Sequence, residues 1–130
     1  MEVPGGIDNK TVVCLCEMLG TAFLIIAVNW GGATGNTAIC VGLINMGMVQ
    51  MVGPISGAHF NSATTMGMFI KELSKPTNNV TWIQNLIFAI MIIICQVIGA
   101  ILGVTITALA MKLEAQTATE LPQAPTNYIT

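Results

Sequence analysis

The chain has 130 residues, 54% of them hydrophobic and 8% charged, with no arginine and a formal net charge of −2. A soluble domain carries about 25% charged residues, so this composition argues against a water-facing enzyme, and the lack of a basic face excludes a nucleic-acid binder. Disorder goes with low hydrophobicity and is excluded too; a mean hydropathy of +0.78 points to lipid as the solvent.

Charge placement marks the spans. No Asp, Glu, Lys or Arg occurs from Met18 to Ile70, nor from Pro76 to Met111. A helix crosses the hydrocarbon with about 20 mostly apolar residues. After an N-terminal segment, residues 1–10, the first span is predicted at 11–28, where Val12–Val28 is apolar apart from Glu17, Gly20 and Thr21. Trp30 follows at the interface, and Gly31-Gly32-Ala33-Thr34-Gly35-Asn36 reads as a short turn. The second span is predicted at 37–52, stopping near Gly53-Pro54, where proline removes a hydrogen-bond donor. The third is predicted at 82–111, long enough to tilt in a bilayer. An extended tail, 112–130, is expected beyond it.

The segment between the second and third spans, 54–70, is too polar and too short to cross. Residues 62–70 suit a short helix with Asn61 as its N-cap, and Lys71-Glu72 mark a return to water. A short helix behind irregular backbone is the pattern of a re-entrant loop, tolerated at membrane depth only when protein or a watery cavity shields it. Lys10, Lys71 and Lys75 fall on one side of this layout and Lys112 on the other. The positive-inside rule then places the N-terminus and the 71–79 loop on the cytoplasmic or matrix side. Cys14, Cys16, Cys40 and Cys95 all fall within spans and read as buried thiols.

Several polar residues at membrane depth admit two readings. An intramembrane acid such as Glu17 serves either a proton relay or otherwise orphaned backbone N–H groups of the re-entrant loop; Thr21 shares its helix face. His59 either lines a water path or bonds loop carbonyls. Asn61 either presents its amide to a solute or simply caps a helix. Gln96 and the Gly99-x-x-x-Gly103 face suit close helix packing, within the fold or against a partner.

Three motifs in order carry a resemblance. Ser56-Gly57-Ala58-His59-Phe60-Asn61-Ser62-Ala63-Thr64-Thr65 resembles the Ser-Gly-x-His-x-Asn-Pro-Ala-Val-Thr loop of the aquaporin and glycerol-facilitator family, the major intrinsic proteins. Glu17-Met18-Leu19-Gly20-Thr21 is similar to that family's first-span Glu-x-x-Gly-Thr, and Gln96-Val97-Ile98-Gly99-Ala100 to its third-span Gln-x-x-Gly-Ala. The resemblance implies an all-α integral membrane protein: half of an aquaporin-like fold, with three transmembrane helices and one re-entrant half-helix, corresponding to the first of the family's two inverted repeats. It also implies that Glu17 serves the loop backbone, with Thr21 and Gln96 as further structural polar groups. His59, Asn61, Ser62, Ala63 and Thr64 would form the pore and half-helix set, and Gly99 and Gly103 the helix-packing set.

Two departures stand out: Ser62 replaces the family's proline and Thr64 its valine. Serine can occupy the first helical position, so the half-helix is expected to survive, and a hydroxyl at Thr64 would make a pore wall more polar. The functional expectation is a channel half for water or small neutral solutes, completed by a second half. The alternative is a non-conducting structural or accessory subunit of a larger membrane complex. No nucleophile with a base, phosphate loop or metal-ligand spacing is visible, so no enzyme activity, cofactor or metal is expected. Expected partners are the lipid bilayer and either a second aquaporin-like half or a larger complex, with no nucleic acid. Plasma, vacuolar and mitochondrial inner membranes all remain open as its location.

Overall fold

The computed structural model describes residues 10–74 and 79–120, the side chains of 79–81 and 118–120 excepted. The segment 1–9, Lys75 and the tail beyond Glu120 lie outside the described residues. Among the described residues, four helices follow in chain order: α1 (Lys10–Thr34), α2 (Thr37–Ser56), α3 (Ser62–Leu73) and α4 (Asn79–Glu120). Three of them, α1, α2 and the Trp82–Thr117 stretch of α4, are long and apolar enough to cross a membrane. The protein is an integral membrane protein with all-helical architecture.

Helix ends depart from the sequence expectations most in three places, each with a local cause, while α3 also runs on to Leu73 and α4 starts at Asn79. α1 continues through Trp30-Gly31-Gly32-Ala33-Thr34, and the turn shrinks to Gly35-Asn36. Gly35 takes φ +75, its N–H donates to the Gly32 carbonyl at 3.4 Å, and the Asn36 N–H donates to Gly31 at 2.8 Å. This is the Schellman closure, which needs a residue free to turn left-handed only at its end. Gly31 stays helical because α2 packs directly on it: a Cβ there would lie 2.6 Å from the Thr37 Cα.

α2 runs through Pro54 to Ser56. Proline forfeits only its own bond to the carbonyl four residues back, and the last turn survives because the Gly57 N–H donates to the Gly53 carbonyl at 2.9 Å. α4 has 42 residues and, at about 1.5 Å per residue, is roughly 63 Å long. The expected extended tail is therefore helical as far as Glu120. Lys112, Leu113, Glu114, Ala115 and Gln116 are all good helix formers, and the first proline past them is Pro122.

α1 and α4 lie parallel. The Lys10 ammonium sits 5.6 Å from the centroid of the Phe88 ring, Glu17 meets Gln96, Gly99 meets the Met18 backbone, and Gly103 meets Ala22 and Ile25. The buried positions of α4 are Phe88, Ala89, Ile92, Gln96, Gly99, Gly103 and Thr107, a stripe at helical spacing. Its apolar end packs Phe88 and Ile92 on Val13 and Cys14, with Cys95 at the margin. All four cysteines are free thiols, and only Cys14 is fully buried; Cys16, Cys40 and Cys95 are partly exposed. α2 packs on α1 and α3 packs on α4.

Candidate functional site: a re-entrant loop anchored on a buried carboxylate

The chain reverses between α2 and α3 through Gly57–Asn61, and the backbone there is costly. Gly57 has φ +85, which glycine tolerates, but Ala58 and Phe60 also take positive φ, +49 and +46. A left-handed residue with a Cβ costs on the order of 1–3 kcal/mol and persists only where its surroundings hold it. Here the holder is Glu17, which is 0% exposed. Its Oε1 accepts from the His59 N–H at 2.9 Å and the Ser56 hydroxyl at 2.8 Å. Its Oε2 accepts from the Phe60 N–H at 2.7 Å and from Gln96 Nε2 at 2.9 Å. The Ser56 Oγ in turn accepts from the Ala58 N–H at 3.0 Å.

Successive backbone N–H groups curled around an anion make a nest, and this nest is filled by the protein's own carboxylate. Four donors, all uncharged, take up both oxygens, the full coordination of an acceptor-only group. Without them a carboxyl group at membrane depth would leave polar atoms unpaired in surroundings that cannot satisfy them. The Phe60 ring then closes over Gly20, where any Cβ would overlap the ring. Thr21 contributes differently: its hydroxyl donates to the main-chain carbonyl of Glu17 at 2.7 Å, not to the carboxylate.

Gln96, 2% exposed, links the anchor to the half-helix. Its Nε2 donates to Glu17 and also to Thr65 Oγ1 at 3.0 Å, while its Oε1 accepts from the Ser62 hydroxyl at 3.1 Å. Thr65, itself 0% exposed, donates to the Asn61 carbonyl at 3.3 Å, and its oxygen lies 3.2 Å from His59 Nδ1. His59 is half-buried, and its ring pairs with this hydroxyl. Among the described residues, no buried side-chain nitrogen or oxygen lacks a partner.

Asn61 sits in extended geometry, φ −151 and ψ 125, and its Oδ1 accepts from the Ala63 N–H at 2.9 Å. With the oxygen so engaged, the NH2 is the part of the amide left to donate. Asn61, Ala63 and Thr64 are all exposed, whereas Thr65 and Phe69 are buried on the other side of α3. The structure thus joins Glu17, His59, Ser62 and Gln96 through one polar network, with Asn61, Ala63 and Thr64 on the open face beside it. Gly99 and Gly103 lie further along α4, on the seam with α1. Sequence reasoning omitted two members, Ser56 and Thr65. Both stand inside the motif already quoted, and a buried hydroxyl in a lipid-solvated chain was the signal available.

The sequence has relatives among known proteins. The chain matches the family described as Major intrinsic protein over residues 9–130. It is 46% identical over 68 residues to aquaporin NIP1-2 of Oryza sativa subsp. japonica, covering 45% of this chain and 22% of that protein. It is 30% identical over 98 residues to the lens fiber major intrinsic protein of Lithobates pipiens, covering 69% of this chain and 34% of that one. A second rice protein, aquaporin NIP1-3, is 47% identical over 62 residues, covering 40% of this chain and 22% of that protein. The chain belongs to the major intrinsic protein family, a family of membrane channels. The matched segments span between 22 and 34% of the length of these curated relatives. No solved structure matches the chain significantly.

Proposed function

We propose that the chain supplies one half of a transmembrane channel for water or small neutral solutes, the other half coming from further residues or a second polypeptide of the same family. The observation that carries this reading is Asn61. Its side chain is exposed at the N-terminus of a short helix and its oxygen accepts from the Ala63 N–H, so the NH2 is the part of the amide left to donate to a solute. A passing water or hydroxyl oxygen would accept from that NH2, while the positive end of the α3 dipole disfavours a cation at the same point. Thr64, on the same open face, adds a hydroxyl where the family's motif has a methyl.

The second reading, a non-conducting subunit of a larger membrane assembly, draws on α2. Ser56 is its one buried residue among those described, which leaves a long face for other protein to cover. Extraction in mild detergent, followed by native mass measurement and mass spectrometry of what co-migrates, separates the two. A small particle containing this repeat and a second one supports the channel half. A large complex holding no second repeat of the family removes that reading and favours the accessory subunit.

A further inference from the structure

Ser62 stands where the family's motif carries proline, and it does more than fill the position. Proline at the first helical residue fixes φ through its ring. Serine leaves that torsion free, so the start of α3 would be looser unless something else restrained it. The restraint visible here is the 3.1 Å hydrogen bond from the Ser62 hydroxyl to Gln96 Oε1.

The Gln96 amide can face only one way. Its Nε2 is committed to Glu17 Oε2 and Thr65 Oγ1, at 2.9 and 3.0 Å. A flipped amide would set oxygen against the carboxylate, an acceptor against an acceptor. Oε1 is therefore left aimed at the start of α3, and the donor it meets is Ser62. Ser62 and Thr65 are three residues apart and share one face of the helix. The two hydroxyls clasp the carboxamide between them, giving the first turn of α3 two attachments to α4.

We infer that Ser62 is a positioning residue: its hydroxyl bond to Gln96 does the work of the absent proline ring, setting the rotation of α3 and thereby the direction of Asn61. The neighbouring capping bond, Ala63 N–H to Asn61 Oδ1, is the local reporter of how firmly that first turn is held. Only the transport consequence rests on the channel reading above.

The test is a rescue series read by site-resolved hydrogen exchange of the full chain in lipid nanodiscs. Ser62→Ala is expected to speed exchange at the Ala63 amide by about 5- to 10-fold, the loss of one ordinary hydrogen bond. Ser62→Thr, which keeps the hydroxyl, and Ser62→Pro, which restores the ring, are both expected to stay within about 2-fold of the parent. Should Ser62→Ala fail to fold, Ser62→Cys decides the matter: its weak donor is expected to give an increase of about 3-fold, and parental exchange overturns the inference. Parental exchange in Ser62→Ala, or Ser62→Thr exchanging as fast as Ser62→Ala, also overturns it. Osmotic permeability of vesicles carrying the native particle is expected to fall in Ser62→Ala and recover in Ser62→Thr. A parent without permeability defeats the channel reading alone, because the exchange series still decides the role of Ser62.

Discussion

α4 and α2 are both long apolar helices, yet they use their residues in opposite ways. α4 turns a continuous stripe inward, and its Gly99 and Gly103 leave no room for a Cβ against the backbone of α1. α2 keeps glycines as well, Gly42 and Gly47, but nothing lies within 4 Å of where their Cβ atoms would stand. Its large side chains point away from the protein, with Ile39 63% and Met51 72% exposed. Lipid is as apolar as leucine, so hydrophobicity alone does not draw one membrane helix onto another. The difference lies in small and polar residues. α4 contributes Gln96 to the Glu17 network, whereas α2 offers it only Ser56, at its last residue.

Removing the centre of that network is the most severe way to break the contrast. Glu17→Leu strands two backbone N–H groups and one N–H of the Gln96 amide in the protein interior, while the Ser56 hydroxyl keeps the Val52 carbonyl. At roughly 1–3 kcal/mol for each orphaned donor, the expected loss is at least about 3 kcal/mol. Unfolding in a detergent titration measures it, and a variant as stable as the parent contradicts the anchor role. Glycine substitutions sharpen the comparison by sign. Gly99→Ala meets the Met18 carbonyl and is expected to cost about 1–3 kcal/mol. Gly42→Ala meets nothing and is expected to stabilise by up to about 1 kcal/mol, through helix propensity alone. The same detergent titration reads both, and equal signs would dissolve the distinction between the two helices. The smallest effect is expected at Met51→Leu, within about 0.5 kcal/mol, since that side chain makes few contacts inside the chain.

The spans were legible because charge-free apolar runs are long and few other structures fit them. Their ends were less so. Gly31-Gly32 reads as a turn in isolation but stays helical because Thr37 packs on Gly31, and Pro54 reads as a stop although one more turn needs only the Gly57 N–H. Lys112–Glu120 reads as a tail because its polarity hides its helix propensity. Within the candidate site, the three motifs brought Glu17, Asn61 and Gln96 to notice. The positive φ of Ala58 and Phe60 left no trace in their residue types, because Ala58 is held by the Ser56 hydroxyl and Phe60 by a carboxylate 43 positions earlier in the chain. The Ser62 to Gln96 bond was equally out of sight, since it depends on which way the carboxamide turns, and Glu17 and Thr65 decide that together.

The central functional claim is that Asn61 faces a path through the membrane. Osmotic shrinkage of vesicles carrying the native particle, parent against Asn61→Leu at equal inserted protein, addresses it most directly. The account predicts water permeability above that of protein-free vesicles for the parent, falling to the protein-free level in Asn61→Leu. Equal permeability in the two, whether high or low, would contradict it.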